Sequence, residues 1–368
     1  MARGPTMSLT SIGINFPPQF TRWAEHEVYC IDSIKNQIEH LYSNQRNLFI
    51  NLTWFGPQFD NSGWQDYQKL VTANVRFDIL FLLCTVDPPM ITSQQIADIA
   101  ASLNVSTVVK IGNFETNYEF NFCAAFCADE FKKYTDEELS LSEVKHLYVN
   151  YNRKPRTHRV DFVNKLIEND LLKYGVVTLG KSNQVYSTTE GVYLSIGEKN
   201  ADYVEQGHWF GEDEFGIPHD LFSLHNMDIW KHHFLNIVGE TEFNPWDEIF
   251  VTEKTWKPII GLRPFLINGN TKTYKWLRNR GFKTFNHYFD IQLENIPEYQ
   301  THDSIVQVIK SLVKLEPAEI LQIYNDMLAD LQYNKKRFYE FAKEQRTLID
   351  NVLCQNNLTK QTYSINAE

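Results

Sequence analysis

Motifs that announce a chemistry are scarce in this chain. It has no Gly-x-Gly-x-x-Gly, so a dinucleotide fingerprint is without support, and no His-Glu-x-x-His, the helical pair that binds zinc. His232 and His233 are adjacent and cannot share one helix face. No Asp-x-Asp occurs, and two carboxylates straddling one residue are a means of holding a divalent ion against a diphosphate. A metal site of either kind is therefore not expected.

Cysteine is sparse as well. The five cysteines stand at positions 30, 84, 123, 127 and 354, and only Cys123 and Cys127 are close in sequence. No second pair or histidine follows at zinc-finger spacing, so free buried thiols in a reducing compartment are expected. Apolar runs such as Ile79–Cys84 fall far short of the about 20 residues that span a bilayer. The start MARGPTMSLT has no apolar stretch of the signal-peptide kind, and Met1–Thr6 reads as a leader ahead of Met7. These features predict a cytoplasmic protein without membrane insertion, whose sequons at Asn51, Asn104 and Asn357 are chance matches. Positive charge is in deficit too: 35 Lys and Arg against 46 Asp and Glu give −11. That balance argues against a general affinity for duplex DNA or anionic membranes, while leaving room for a local basic groove.

What is present is a core. With 368 residues, 43% hydrophobic and 14% aromatic, the chain has material for two folded domains. Tyr29–Tyr42 has a helical stripe at Ile31, Ile34, Ile38 and Leu41. Leu48–Trp54, Phe77–Val86 and Val105–Ile111 read as strands ending in turn residues, with a helix at Thr92–Leu103 between the last two. The alternation restarts near residue 146. Strands are predicted at His146–Asn150, Val176–Leu179, Phe234–Val238 and Pro264–Ile267, and helices at Val160–Leu172, Thr252–Ile260 and Tyr274–Arg280. Strands alternating with helices imply parallel sheets, so the reading is an α/β protein of two Rossmann-like lobes facing a cleft. The charged segment Lys132–Lys145 reads as the linker. Residues 1–145 form the N-terminal lobe, 146–303 the C-terminal lobe, 304–353 helices that pack back across the lobes, and 354–368 a polar tail.

One segment imitates a P-loop. Gly175-Val-Val-Thr-Leu-Gly180-Lys181-Ser182 matches that expression, yet Val176–Leu179 is a strand where the phosphate-cradling loop should lie. Two other segments carry more. Tyr151–Leu166 holds Arg153, Lys154, Arg156 and Arg159, and no acid lies between Glu143 and Asp161. These cations follow a strand and run into a helix start, where backbone N–H groups and the helix dipole favour an anion and arginines can hold a diphosphate. Phe250–Ile267 places Thr252 as a cap for a helix whose first turn presents Glu253 and Lys254. A carboxylate suits a ribose diol and an ammonium suits a phosphate.

Thr252-Glu253-Lys254 at a helix start, followed by Gly261-x-x-Pro264, resembles the donor-site signature of the alpha-1,3-fucosyltransferases and related GT-B glycosyltransferases. The likeness extends to uncharacterised glycosyltransferase-like proteins of bacteria and tailed phages, with Thr252-Glu-Lys-Thr-x-Lys-Pro258 and Gly281-Phe-x-Thr-Phe285. It covers roughly residues 146–290. The resemblance implies a GT-B fold and donor binding by Arg159 on the diphosphate, Glu253 on ribose and Lys254 on phosphate. Gly180 falls on the glycine after the second donor strand, and Arg153 and Arg156 are further diphosphate candidates. Before the signature the chain reads Val238-Gly239-Glu240-Thr241-Glu242, which departs from the fucosyltransferase pattern and leaves the sugar open; Glu240 and Thr252 join the donor-side candidates. In the N-terminal lobe Asn113-Phe114-Glu115 resembles the segment that carries the catalytic base, with Asp87 as its competitor.

The implied activity is an inverting, metal-independent transfer of a sugar from a nucleoside diphosphate-sugar, a co-substrate and not a bound cofactor. The acceptor is a hydroxyl of a glycan or small molecule, in a bacterial or phage-infected cell. Two alternatives stay open at this point: a phage enzyme acting on hydroxymethylated DNA bases, and a nucleotide-sugar-binding protein without catalysis.

Overall fold

The computed structural model describes residues 10–11, 14–15, 28–30, 47–51, 62–72, 74, 77–84, 93–112, 118–152, 156–179, 224, 227–241, 243, 249–291 and 293–355. The chain divides into two compact units, Met1–Phe122 together with Glu344–Glu368, and Cys123–Lys343.

In the first unit β1 (Thr10–Ser11) and β2 (Ile14–Asn15) form an antiparallel pair. Five further strands, β3 (Val28–Cys30), β4 (Asn47–Asn51), β5 (Ile79–Cys84), β6 (Thr107–Gly112) and β7 (Tyr118–Glu119), lie side by side in chain order, all parallel. Helix α1 (Ser62–Thr72) connects β4 to β5, and α2 (Ser93–Ser102) connects β5 to β6. Ile50, Leu80 and Leu82 pack with Leu70 of α1 and with Ile96, Ile99 and Leu103 at α2, so one face of each helix is buried on the strands. Each helix is followed by an asparagine in the left-handed region, Asn74 (φ 52°) and Asn104 (φ 50°), a residue type that tolerates this conformation at a helix end. The helix expected over Tyr29–Tyr42 begins instead as strand: Val28–Cys30 pairs with Asn47–Phe49. Val28 and Tyr29 are strand formers, and pairing with β4 outweighs the helical spacing. The rest of that span lies outside the described residues.

The second unit begins at Cys123, within α3 (Phe122–Phe131), and continues with α4 (Asp136–Leu139). The unit thus starts ahead of Lys132–Lys145, and that charged segment is structured: Thr135 and Glu138 form a reciprocal capping box on α4, and Leu139 and Leu141 are buried. Then come β8 (His146–Asn152), α5 (Thr157–Glu168), β9 (Gly175–Leu179), α6 (Met227–His232), β10 (His233–Gly239), α7 (Glu253–Ile260), β11 (Phe265–Asn268) and α8 (Thr273–Asn279). The strands pair in the order β9-β8-β10-β11, all parallel. Every residue of β9, β10 and β11 is buried, which is why these strands read as near-continuous apolar runs. The first glycine of the P-loop mimic, Gly175, starts a strand and is required by packing: a Cβ there would sit 2.5 Å from the Tyr148 ring.

Helix α9 (Glu298–Leu312) packs on α5 and β11. In α10 (Pro317–Gln355) the face with Tyr324, Met327, Leu331, Phe338 and Phe341 is buried. Trp256 of α7 is fully buried among Trp276, Phe282, Phe338 and Phe341, with ring centroids 5.4 to 6.2 Å away. The turn after α7 is equally tight: the Trp230 indole donates to Gly261 O at 2.8 Å and fills the space a Cβ on Gly261 would need. No helix among the described residues is long and apolar enough to cross a membrane.

Candidate functional site

From β8 the chain moves outward to β9, then crosses back to β10 and proceeds the other way to β11. The carboxyl ends of β8 and β10 are therefore a topological switch point, the place where open parallel sheets leave a crevice for a ligand. Helices α5 and α7 both start here, and with them the residues singled out by sequence.

Glu240, the residue after β10, is 1% exposed. Its carboxylate accepts four hydrogen bonds: Thr241 N (3.1 Å) and Thr252 Oγ1 (2.6 Å) on one oxygen, Thr252 N (3.1 Å) and Thr255 Oγ1 (2.6 Å) on the other. The side chain that sequence placed among the donor-binding groups thus faces inward, where it ties the start of α7 to the end of β10. The negative charge lies at a helix N-terminus, where the dipole favours it.

Thr252 caps α7 as expected. Its hydroxyl oxygen accepts from Lys254 N at 3.4 Å. Glu253 is buried and Lys254 is half-buried. The Lys254 ammonium lies 2.8 Å from Glu253 Oε1, 3.3 Å from Thr252 Oγ1 and 3.5 Å from Thr241 Oγ1. Its side chain keeps 26% of its surface in solvent against 11% for Glu253, so the cation is the accessible member of the pair. Cys123, at the start of α3, brings its sulfur within hydrogen-bonding reach of the Glu253 backbone. Burial pushes that thiol well above its ordinary value, the Glu253 charge adds to the rise, and Lys254 opposes it. It is a buried free thiol, in line with the expectation for this position.

The start of α5 meets the same peptide. Arg156, the residue before the helix, donates from Nη1 to Thr241 O at 2.7 Å and is half-buried. Arg159 is 3% exposed and donates from Nη2 to Glu240 O at 3.0 Å. His158 Nε2 lies 3.0 Å from the same carbonyl, which accepts, so the imidazole carries its proton on Nε2. Burial and the neighbouring Arg159 charge push His158 down to about 3, which keeps it neutral. Gly239 is glycine because Asn152 occupies its face: a Cβ would stand 2.4 Å from Asn152 Oδ1, with Arg159 next to it. Asn152 in turn donates to Asn150 Oδ1 (2.5 Å), and Asn150 donates to Ile237 O (2.7 Å), crossing from β8 to β10.

The structure thus brings Arg156, Arg159, Glu240, Thr252, Glu253 and Lys254 together at one sheet edge. Arg159 and Glu240 support this edge from inside, while Lys254 and Arg156 stand nearer solvent. Sequence reasoning passed over Asn150, Asn152, His158 and Thr241; the signal available was polar residues at the carboxyl ends of strands that are otherwise apolar. Arg153, Gly180, Glu115 and Asp87 lie outside the described residues. Among the described residues no group of three His, Cys, Asp or Glu is placed to hold a metal ion. Comparison of the chain with protein-family models, with curated proteins and with solved structures finds no match.

Proposed function

We propose that the chain is a glycosyltransferase of the GT-B type. In this reading the second unit binds a nucleoside diphosphate-sugar at the β8–β10 switch point, and the N-terminal unit serves the acceptor. The observation that carries the reading is the convergence of two helix starts and two partly accessible cations, Arg156 and Lys254, on the single peptide Glu240–Thr241. Helix N-termini and cations at a parallel-sheet switch point suit a diphosphate. Glu253, beside Lys254, suits a ribose diol, which offers two hydroxyl donors to a carboxylate. Arg159 acts from behind: it is 3% exposed and one of its N–H groups holds Glu240 O.

Transfer proceeds with inversion through a transition state of oxocarbenium character. The acceptor hydroxyl loses its proton to a carboxylate of the N-terminal unit, Glu115 or Asp87. Lys254 and Arg156 take up the charge that develops on the leaving diphosphate, the role a divalent ion fills elsewhere. The test is calorimetry of UDP and GDP on the wild type and on Lys254→Ala. A phosphate contact to a partly buried cation is worth about 2–5 kcal/mol when truncated, so the variant is expected to lose at least thirtyfold in affinity. Equal affinity in both proteins, or no binding of either nucleotide by the wild type, refutes the reading.

A further inference from the structure

Glu240 is buried at 1% exposure, yet α5, α7 and β11 are all fastened to it. Its amide donates to Asn268 O at the end of β11 (3.1 Å), and its carbonyl receives Arg159 and His158 from α5. Its carboxylate receives Thr252 and Thr255 from α7. Thr252 Oγ1 passes the contact on: it accepts from Lys254 N and lies 3.3 Å from the Lys254 ammonium, so its own proton is left for Glu240. On its far side α7 is held by Trp256 in the aromatic core. The first turn of α7 is therefore clamped between a buried carboxylate and a buried indole, and Lys254 is the side chain this clamp presents.

We infer that Glu240 is a positioning residue of the nucleotide site, acting through Thr252 to place the Lys254 ammonium and never touching the ligand. This rests on the nucleotide reading above. Glutamine is an informative replacement. Each carboxylate oxygen faces one backbone N–H and one hydroxyl, so whichever way the amide turns, its NH2 meets a backbone N–H that needs an acceptor. The shape is kept and the clamp is broken on one side.

The experiment measures UDP and GDP affinity by calorimetry for the wild type, Glu240→Gln, Lys254→Ala and the double variant, with circular dichroism and thermal unfolding for each. Thr255→Val, which removes one donor to the same carboxylate, stands in for Glu240→Gln should the latter not fold. Glu240→Gln is expected to weaken binding about tenfold, the factor that corresponds to one hydrogen bond of charged type. Because Glu240 works through Lys254, the double variant is expected to bind no more weakly than Lys254→Ala alone. A residue that merely stabilises the fold would give losses unrelated to Lys254. Wild-type affinity in Glu240→Gln, or losses that multiply in the double variant, overturn the positioning role while leaving the nucleotide site standing. Failure of the wild type to bind either nucleotide overturns both.

Discussion

Arg263→Met tests how the second unit is held together beneath the site. Arg263 follows Leu262, a non-glycine residue in the left-handed region (φ 55°), and that turn drives the side chain into the protein, where it is 0% exposed. Nε donates to His233 O (2.8 Å), Nη1 to Leu139 O (2.7 Å) and Leu262 O (2.9 Å), and Nη2 to Trp230 O. Burial lowers the guanidinium to about 10, so it is charged at neutral pH. One side chain thereby ties α4, α6, β10 and the α7–β11 turn. Methionine fills the volume but leaves these four carbonyls without their donor. At about 1–3 kcal/mol for each unsatisfied buried group the gross loss is roughly 4–12 kcal/mol. Against it stands the desolvation cost of the charge, which the variant escapes and which amounts to several kcal/mol. The balance expected is a destabilisation of about 3–5 kcal/mol. Arg263→Lys should fall between, because an ammonium lacks the planar fork that reaches carbonyls on separate elements. Urea unfolding followed by tryptophan fluorescence, with Trp230 at the site itself, measures the loss. A value below about 1 kcal/mol for Arg263→Met would show that the carbonyls find other donors and that the network is not what joins these elements.

Glu253→Gln removes the carboxylate that holds Lys254 in the free protein; pyrophosphate affinity is expected to rise several-fold while UDP and GDP affinity falls, and parallel changes in both would detach Glu253 from ribose. His158 and His302 are held by burial at about 3 and about 4, below the ordinary 6.5. The unfolded chain therefore takes up protons first as pH drops, and stability is lost from pH 6.5 down to about 4 for His302 and about 3 for His158. His302 packs against Phe162 and Phe243, so His302→Phe should flatten this dependence in urea midpoints taken at pH 7, 5.5 and 4.5, and an unchanged slope refutes the assignment. Sugar transfer or donor hydrolysis with excess EDTA is expected to match the rate with magnesium or manganese; a strict need for either ion would move the leaving-group role away from Arg156 and Lys254.

Much of the second unit was legible because its local signals agree with its packing. Thr252 before Glu253, and Gly261 after the last apolar turn, bound α7 in sequence as they do in structure. The apolar runs of β9 and β10 read as buried strands because both faces of that sheet are covered. Helix α3 was not separated out, since Ala124, Ala125, Ala128 and Phe131 are buried and the helix shows little contrast between its faces. In α1, Trp64, Tyr67, Leu70 and Val71 carried a helical spacing that passed unread. Val28–Cys30 shows the opposite failure: a strand settled by a partner in β4 lies where the local pattern favoured helix.

For the six candidate residues that the structure describes, the sheet edge was legible in the sequence and the orientation was not. Sequence spacing brings Arg159 and Glu240 to the right sheet edge, because each stands one short turn from a predicted strand or helix. Which way they point depends on groups distant in the chain: Glu240 is claimed by Thr252 and Thr255, and Arg159 by the carbonyl of Glu240. That division has a physical logic. An ionised group that binds a ligand must keep some hydrogen-bonding capacity for it, whereas one that fixes geometry is best placed where all its bonds are internal and water cannot compete. Glu240, at 1% exposure with four donors, meets the second condition, and Lys254, with a quarter of its side chain in solvent, meets the first. On the nucleotide reading the inward pair sets the backbone and the outward cations are carried by it, so substitutions at Glu240 and at Lys254 are expected to report on one event.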